Sequence, residues 1–205
     1  MMQPNYYLDI RILDSADDGE LTLTHLRNQI YSIVHGVFRK MPEKFALALE
    51  ISPRQQRKMQ VKEAKYNYPI TQNYDVLRIF ATEQNDLDQL IESIKDHWKI
   101  RDYAVLNHPI AVPMAKVTGW RSYFRFRIPT LKSERNVAEK AESRRAKRLK
   151  EAKQLPYFKV ISQSTEQNFT VTIHIVNATE HIQGKPDGYG LARKSQPFTL
   201  PVFEV

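Results

Sequence analysis

Between residues 6 and 112 the apolar residues change period in a set order, and that order restricts the folds open to the chain. Alternate positions of residues 6–13 share a face, with Tyr7, Asp9, Arg11 and Leu13 on one and Leu8, Ile10 and Ile12 on the other. That is the period of a strand. A turn is expected at Asp17-Asp18-Gly19. From Thr22 or Thr24 onward, Leu23, Leu26, Ile30, Val34, Val37 and Phe38 recur at helical spacing. Phe45, Leu47, Leu49 and Ile51 alternate as a strand, and the polar, basic residues 53–65 read as a loop or hairpin. Residues 74–82 read as a strand. Leu87, Leu90, Ile91 and Ile94 define a helix over 86–98, and residues 103–112 form a strand interrupted near Pro109. Strand, helix, strand, strand, helix, strand is the ferredoxin-like order, two interlocked strand-helix-strand units. The expected class is α+β.

The pattern changes after Pro113. Alternating strands are expected at 121–128, 157–162, 168–176 and 198–203, with a helix over 131–153. The expected organisation is a ferredoxin-like domain over 1–115 and a smaller C-terminal domain over 116–205, with antiparallel strands and a basic helix.

The formal charge is +8, and its location is informative. Residues 121–153 hold twelve Lys and Arg against four Glu, which is the whole excess, so the remaining 172 residues are neutral on balance. A localised basic element on a neutral body is the footprint of a nucleic-acid contact. The competing reading is a solvated basic helix. Lys140, Arg144, Lys147 and Arg148 fall on one face at helical spacing. The opposite face, with Ala138, Ala141, Leu149 and Ala152, offers little apolar area for burial. The chain lacks cysteine, its first residues have neither a basic nor an apolar leader segment, and no apolar run approaches the roughly 20 residues of a membrane helix. A cytoplasmic protein with no membrane association and no cofactor is expected.

Four local patterns stand out. In Tyr123-Phe124-Arg125-Phe126-Arg127-Ile128, strand alternation points Phe124, Phe126 and Ile128 inward. Tyr123, Arg125 and Arg127 then point outward, with the guanidinium groups about 6–7 Å apart. Arginine suits bidentate contacts to guanine edges, although two solvated arginines fit the same pattern. Ser162-Gln163-Ser164-Thr165 is a hydroxyl-rich junction between two strands, or a plain polar turn. Gly188-Tyr189-Gly190-Leu191 sets a tyrosine between residues that permit positive φ; a simple turn is the alternative. Of six histidines none falls in a metal-binding spacing, and with no cysteine and no Asp/Glu cluster a metal-dependent nuclease is disfavoured. His35 follows Val34, at the border of the apolar stripe, where a side chain is held firmly yet reaches a cleft.

Together these features resemble the repeat endoribonuclease of type I-F CRISPR systems. The resemblance rests on Tyr7-Leu8-Asp9-Ile10-Arg11, the helix with His35, the Ser162-Gln163-Ser164-Thr165-x-Gln167-x-Phe169 segment and Tyr189-Gly190-Leu191. It implies a protein that binds the CRISPR repeat stem-loop, cuts precursor RNA at the 3′ base of the stem and stays on the product with the other subunits of the surveillance complex. It implies catalytic roles for His35, Ser162 and Tyr189, positions beside the RNA for Gln163, Ser164 and Thr165, and stacking of Phe169 on the closing base pair. Arg125 matches a base-reading arginine, whereas Arg127 stands where the family has glutamine. Lys140, Arg144, Arg145, Lys147 and Arg148 match its arginine-rich helix by character. The implied chemistry is metal-independent: Ser162 orients the 2′-hydroxyl and His35, with an ordinary pKa near 6.5, takes its proton. A non-catalytic RNA-hairpin-binding module and a structural RNA-binding protein are the rival readings.

Overall fold

The computed structural model describes residues 1–13, 22–129, 140–161 and 167–203, with side chains at all of these except 140–143. The expected turn at 17–19, the first part of the expected basic helix and the segment from Ser162 to Thr165 lie outside the described residues.

The first half of the chain runs β1 (Tyr6–Ile12), α1 (Leu23–Lys40), β2 (Ala46–Glu50), α2 (Pro53–Tyr66), β3 (Val76–Ala81), α3 (Gln84–Ile94), α4 (Trp98–Tyr103), β4 (Ala104–Leu106) and β5 (Ile110–Ala111). Its sheet has the order β2-β3-β1-β4, with β5 also beside β1. Every pairing is antiparallel. Consequently β1 and β2 are parallel to each other with β3 between them, and β3 and β4 are parallel with β1 between them. Two strand-helix-strand units interlock in this way, which is the expected ferredoxin-like arrangement.

Local chemistry sets the helix ends. Thr22 caps α1 by accepting a hydrogen bond from the His25 amide at 3.2 Å. Residues 53–66 are a helix, α2, and not the expected loop or hairpin. The Ser52 side chain accepts from the Gln55 amide, Pro53 occupies the first turn, and Asn67 ends the helix in the left-handed region at φ 52°. Periodicity missed it because α2 has no apolar stripe; Gln55 is its buried residue. The helix expected over 86–98 ends at Ile94, and Trp98 instead opens α4, where His97 Nδ1 accepts from the Lys99 amide. The interrupted strand over 103–112 is the pair β4 and β5.

Both rows of β1 are buried. Helices α1 and α3 pack against the strand. On the sheet, Arg78 donates from Nε and Nη2 to the Asp9 carboxylate at 2.7 and 2.8 Å. Its guanidinium lies over the Tyr7 and Phe203 rings, at 4.9 and 4.4 Å from their centroids. The end of the described chain thereby covers this part of the first sheet.

The second half contains β6 (Gly119–Phe126), α5 (Lys140–Ala152), β7 (Tyr157–Ile161), β8 (Asn168–Ala178) and β9 (Leu200–Val202). Its antiparallel sheet has the order β7-β8-β6-β9. The expected inward and outward faces of β6 hold only in part: Phe126 is buried and Arg127 exposed, but Tyr123, expected outward, is turned to the core. Tyr123 is 1 % exposed, and Tyr123 and Arg125 pair with Ile175 and Ile173 on the face turned to the core. Phe124 and Phe126 pair with His174 and Thr172 and, with His174, line an open cavity of about 440 Å³ on the other face. The reason lies in the partner: the sheet packs on α1 through β7, and the aromatic row serves as a floor for α5. A single apolar cluster runs through both halves. Among the described residues no helix is long and apolar enough to cross a membrane.

Candidate active site and RNA interface

Arg27, Tyr31 and His35 stand at i, i+4 and i+8 on α1, so they form one row. The row faces β7, beside the stripe that Leu26, Ile30 and Val34 present. The Tyr31 ring is parallel to Phe158 of β7 at a centroid distance of 3.7 Å, and to His35 at 5.7 Å. The imidazole of His35 is parallel to the Tyr189 ring within 8°, at 4.9 Å. Phe158, Tyr31, His35 and Tyr189 therefore form one stacked column joining the two halves. Each aromatic pair of this kind adds about 0.5–1.5 kcal/mol beyond area burial.

The Tyr189 loop is held from several directions. One carboxylate oxygen of Asp187 accepts from the amides of Tyr189 and Leu191, both at 2.9 Å. The Tyr31 hydroxyl donates to the Tyr189 carbonyl at 3.0 Å, and the Leu47 amide donates to the Gly190 carbonyl at 2.8 Å. Gly190 has φ +77°, and a Cβ there would stand 2.7 Å from Phe38 Cε2 and 3.1 Å from Leu47 Cβ. Only glycine fits this conformation and this approach.

Electrostatics complete the site. His35 is 8 % exposed. Burial, and secondly the charge of Arg39, lower its pKa to about 4, so it is a neutral imidazole at pH 7. Burial pushes the Tyr31 phenol well above its ordinary value, so it remains a hydrogen-bond donor. Asp187 is also raised, because burial outweighs the amides it accepts from. The Arg125 guanidinium lies over the Tyr189 ring at 5.1 Å and the Phe169 ring at 5.8 Å, and Phe169 meets Tyr189 edge-on at 6.2 Å. A buried neutral base, a planar cation and two partly open aromatic faces thus converge at one end of α1. Such a group can take a proton from a hydroxyl and hold an anion beside a stacked base.

The basic helix α5 is attached through its arginines. Arg148 lies over the Phe126 ring at 3.7 Å and donates to the Arg127 carbonyl at 3.3 Å. Arg145 donates to the Pro129 carbonyl at 2.5 Å. Arg144 and Lys147 are exposed, as are Leu149 and Arg127. Of the site residues proposed from sequence, the structure brings together His35, Tyr189, Arg125 and Phe169, and sets Arg127 at the foot of α5. Ser162, Gln163, Ser164 and Thr165, and the side chain of Lys140, lie outside the described residues. Among those residues, no three His, Asp or Glu side chains are grouped to hold a metal ion.

A family model described as "CRISPR-associated protein (Cas_Csy4)" matches residues 7–203. The chain belongs to this family. Its members are CRISPR-associated endoribonucleases that bind and process CRISPR repeat RNA. A solved structure described as "An RAMP protein binding different RNA substrates" aligns with 95 % of this chain and 99 % of its own, at 12 % identity and a TM-score of 0.38. No curated protein matches.

Three residues of this Cas_Csy4 site escaped the sequence reading: Tyr31, Phe158 and Asp187. Tyr31 carried a usable signal, since Arg27, Tyr31 and His35 repeat every four residues along the border of the apolar stripe. A second buried row on one helix signals a second packing partner. Phe158 and the Tyr189 loop meet Tyr31 across 127 and 158 residues of sequence, which no local pattern records, whereas Asp187 acts two and four residues away, on Tyr189 and Leu191.

Proposed function

We propose that this Cas_Csy4 protein binds the stem-loop of its CRISPR repeat and cuts precursor RNA at the 3′ base of the stem without a metal ion. In this reading His35 takes the proton of the 2′-hydroxyl upstream of the cut. The freed oxygen bonds to phosphorus, and the 5′-oxygen leaves and picks up a proton from water. The products are a 2′,3′-cyclic phosphate and a 5′-hydroxyl. Ser162, which follows β7 in sequence, orients the 2′-hydroxyl, while Tyr189 fixes the imidazole plane through its ring. Gln163, Ser164 and Thr165 attend the scissile phosphate, and Phe169 stacks on the closing base pair. Arg125 and Arg127 read bases at the foot of the stem, and Lys140, Arg144 and Lys147 form the basic face toward the phosphates, while Arg145 and Arg148, which the sequence also offered for that face, hold α5 against the Phe126–Pro129 segment. Residues 1–115 supply the base and residues 116–205 the RNA-binding elements. The mature RNA then stays bound with the other subunits of the type I-F surveillance complex.

One observation supports this reading: the only histidine among the described residues that is both buried and stacked on a tyrosine is His35, neutral at pH 7, and the ring it stacks on, Tyr189, also carries the Arg125 guanidinium. His35→Ala is expected to leave hairpin binding within a few fold and to abolish cutting. Cutting at the wild-type rate by that variant removes the assignment.

A further inference from the structure

Helix α2 has no role in the site described above, yet it is the most exposed basic element of the first half. It carries Arg54, Arg57, Lys62 and Lys65, all exposed, and Glu63 is its one acid. The Glu63 carboxylate is turned to the following loop, where it accepts from the Ile70 amide at 3.1 Å. Among the described residues, none of those four cations is within ion-pair distance of a carboxylate. At about 100° per residue the four lie within an arc of roughly 140°, so they form one face. Beside that face, Tyr66 and Tyr68 are 53 % and 59 % exposed, with ring centroids 5.9 Å apart.

The helix is firmly placed despite its exposure. The Ser52 amide and hydroxyl donate to the Asp75 carboxylate at 2.7 and 2.5 Å. Next to Asp75, the Tyr74 carbonyl accepts from Arg27 Nη1 at 3.0 Å. Arg27 is two turns before His35 on α1, about 12 Å along the axis. The start of α2 is thus tied to the row that ends in the candidate catalytic histidine.

We infer that α2 and the Tyr66–Tyr68 segment bind the single-stranded RNA that flanks the repeat stem. A row of cations without carboxylate partners beside exposed aromatic rings is the composition of a single-strand track, in which phosphates meet the cations and unpaired bases stack on the rings. Within a stem the bases are paired and stacked, and its one open face at the cut end, that of the closing base pair, is already taken by Phe169 in the proposed function, so unpaired bases are what Tyr66 and Tyr68 suit. The inference rests on the proposed RNA-binding function and extends it to RNA outside the hairpin.

The test compares two RNAs, a bare repeat hairpin and the same hairpin with single-stranded flanks, each with a 2′-deoxy nucleotide at the cut site. Dissociation constants are measured from 50 to 300 mM salt for the full chain. A fourfold variant, Arg54→Gln, Arg57→Gln, Lys62→Gln and Lys65→Gln, keeps good helix formers in place. It is expected to bind the flanked RNA at least tenfold more weakly at 150 mM salt. Its salt slope is expected to be shallower by about 0.7 for each phosphate that α2 no longer neutralises. Tyr66→Ala with Tyr68→Ala is expected to weaken the flanked RNA about fivefold or more. Neither variant changes the affinity for the bare hairpin. Equal losses on both RNAs place α2 on the stem and overturn the inference. No loss on either RNA overturns it too, leaving α2 as a solvated helix or a protein contact. If the wild-type chain fails to bind the bare hairpin, the proposed function itself fails, which is a separate result.

Discussion

The most informative perturbation is pH, because the column around His35 sets the proton affinity of the proposed base. The imidazole goes from about 6.5 in the unfolded chain to about 4 in the fold, chiefly through burial and then through Arg39. A histidine lowered on folding stabilises the fold above the unfolded value. That contribution is lost as the pH falls from 6.5 toward 4, because the unfolded chain then binds the extra proton. The difference corresponds to about 3 kcal/mol. Urea unfolding at pH 7.5 and 4.5, compared between wild type and His35→Phe, isolates this part from every other titration. The wild type is expected to lose about 2.5 kcal/mol more than the variant over that interval, the remainder being lost only below pH 4.5. The same group sets the cutting profile. The acid limb of kcat/KM is expected near pH 4–5, since kcat/KM reports the free protein. The limb of kcat is expected higher, because a bound phosphate favours the imidazolium. Equal losses in the two proteins, or a His35 titration by NMR centred near 6.5 in the free protein, refute the argument.

Other perturbations test single parts of the account. Gly190→Ala puts a side chain at φ +77° and 2.7 Å from Phe38; it is expected to cost about 2 kcal/mol or more in urea unfolding and to slow cutting by displacing Tyr189. Tyr189→Phe is expected to keep most activity, because the ring and not the hydroxyl lies against His35, whereas Tyr189→Ala is expected to slow cutting strongly; single-turnover rates separate the two. Arg144→Ala is expected to weaken hairpin binding and shorten the salt slope by about one. Arg148→Ala weakens binding with little change of slope, since Arg148 is engaged with Phe126 and the Arg127 carbonyl. A slope change of one for Arg148→Ala contradicts its placement as an anchor of α5.

Much of the first half was legible because its strands and its two main helices obey simple periods, and the interlocked order follows from their sequence. Helix α2 was not, because a helix with one buried residue leaves no apolar trace and is specified by Ser52, Pro53 and Asn67 alone. The orientation of β6 was misread in part, for a related reason. Alternation gives two faces but not which one meets the core, and here the aromatic Phe124 and Phe126 form the floor beneath α5. At the site, His35, Tyr189, Arg125 and Phe169 were identified by resemblance to the repeat endoribonucleases. What brought them together was not legible: the Tyr31–Phe158 stack and the Tyr31–Tyr189 hydrogen bond join residues far apart in the chain.

The central claim is that the His35 column directs RNA to cut itself. Its most direct test is cleavage of the repeat hairpin in excess chelator, with and without a single 2′-deoxy substitution upstream of the cut. The account predicts one cut at the 3′ base of the all-ribose stem, with a 2′,3′-cyclic phosphate end, and none in the deoxy RNA. Cutting of the deoxy RNA, or loss of all cutting on chelation with recovery on adding a divalent cation, contradicts it.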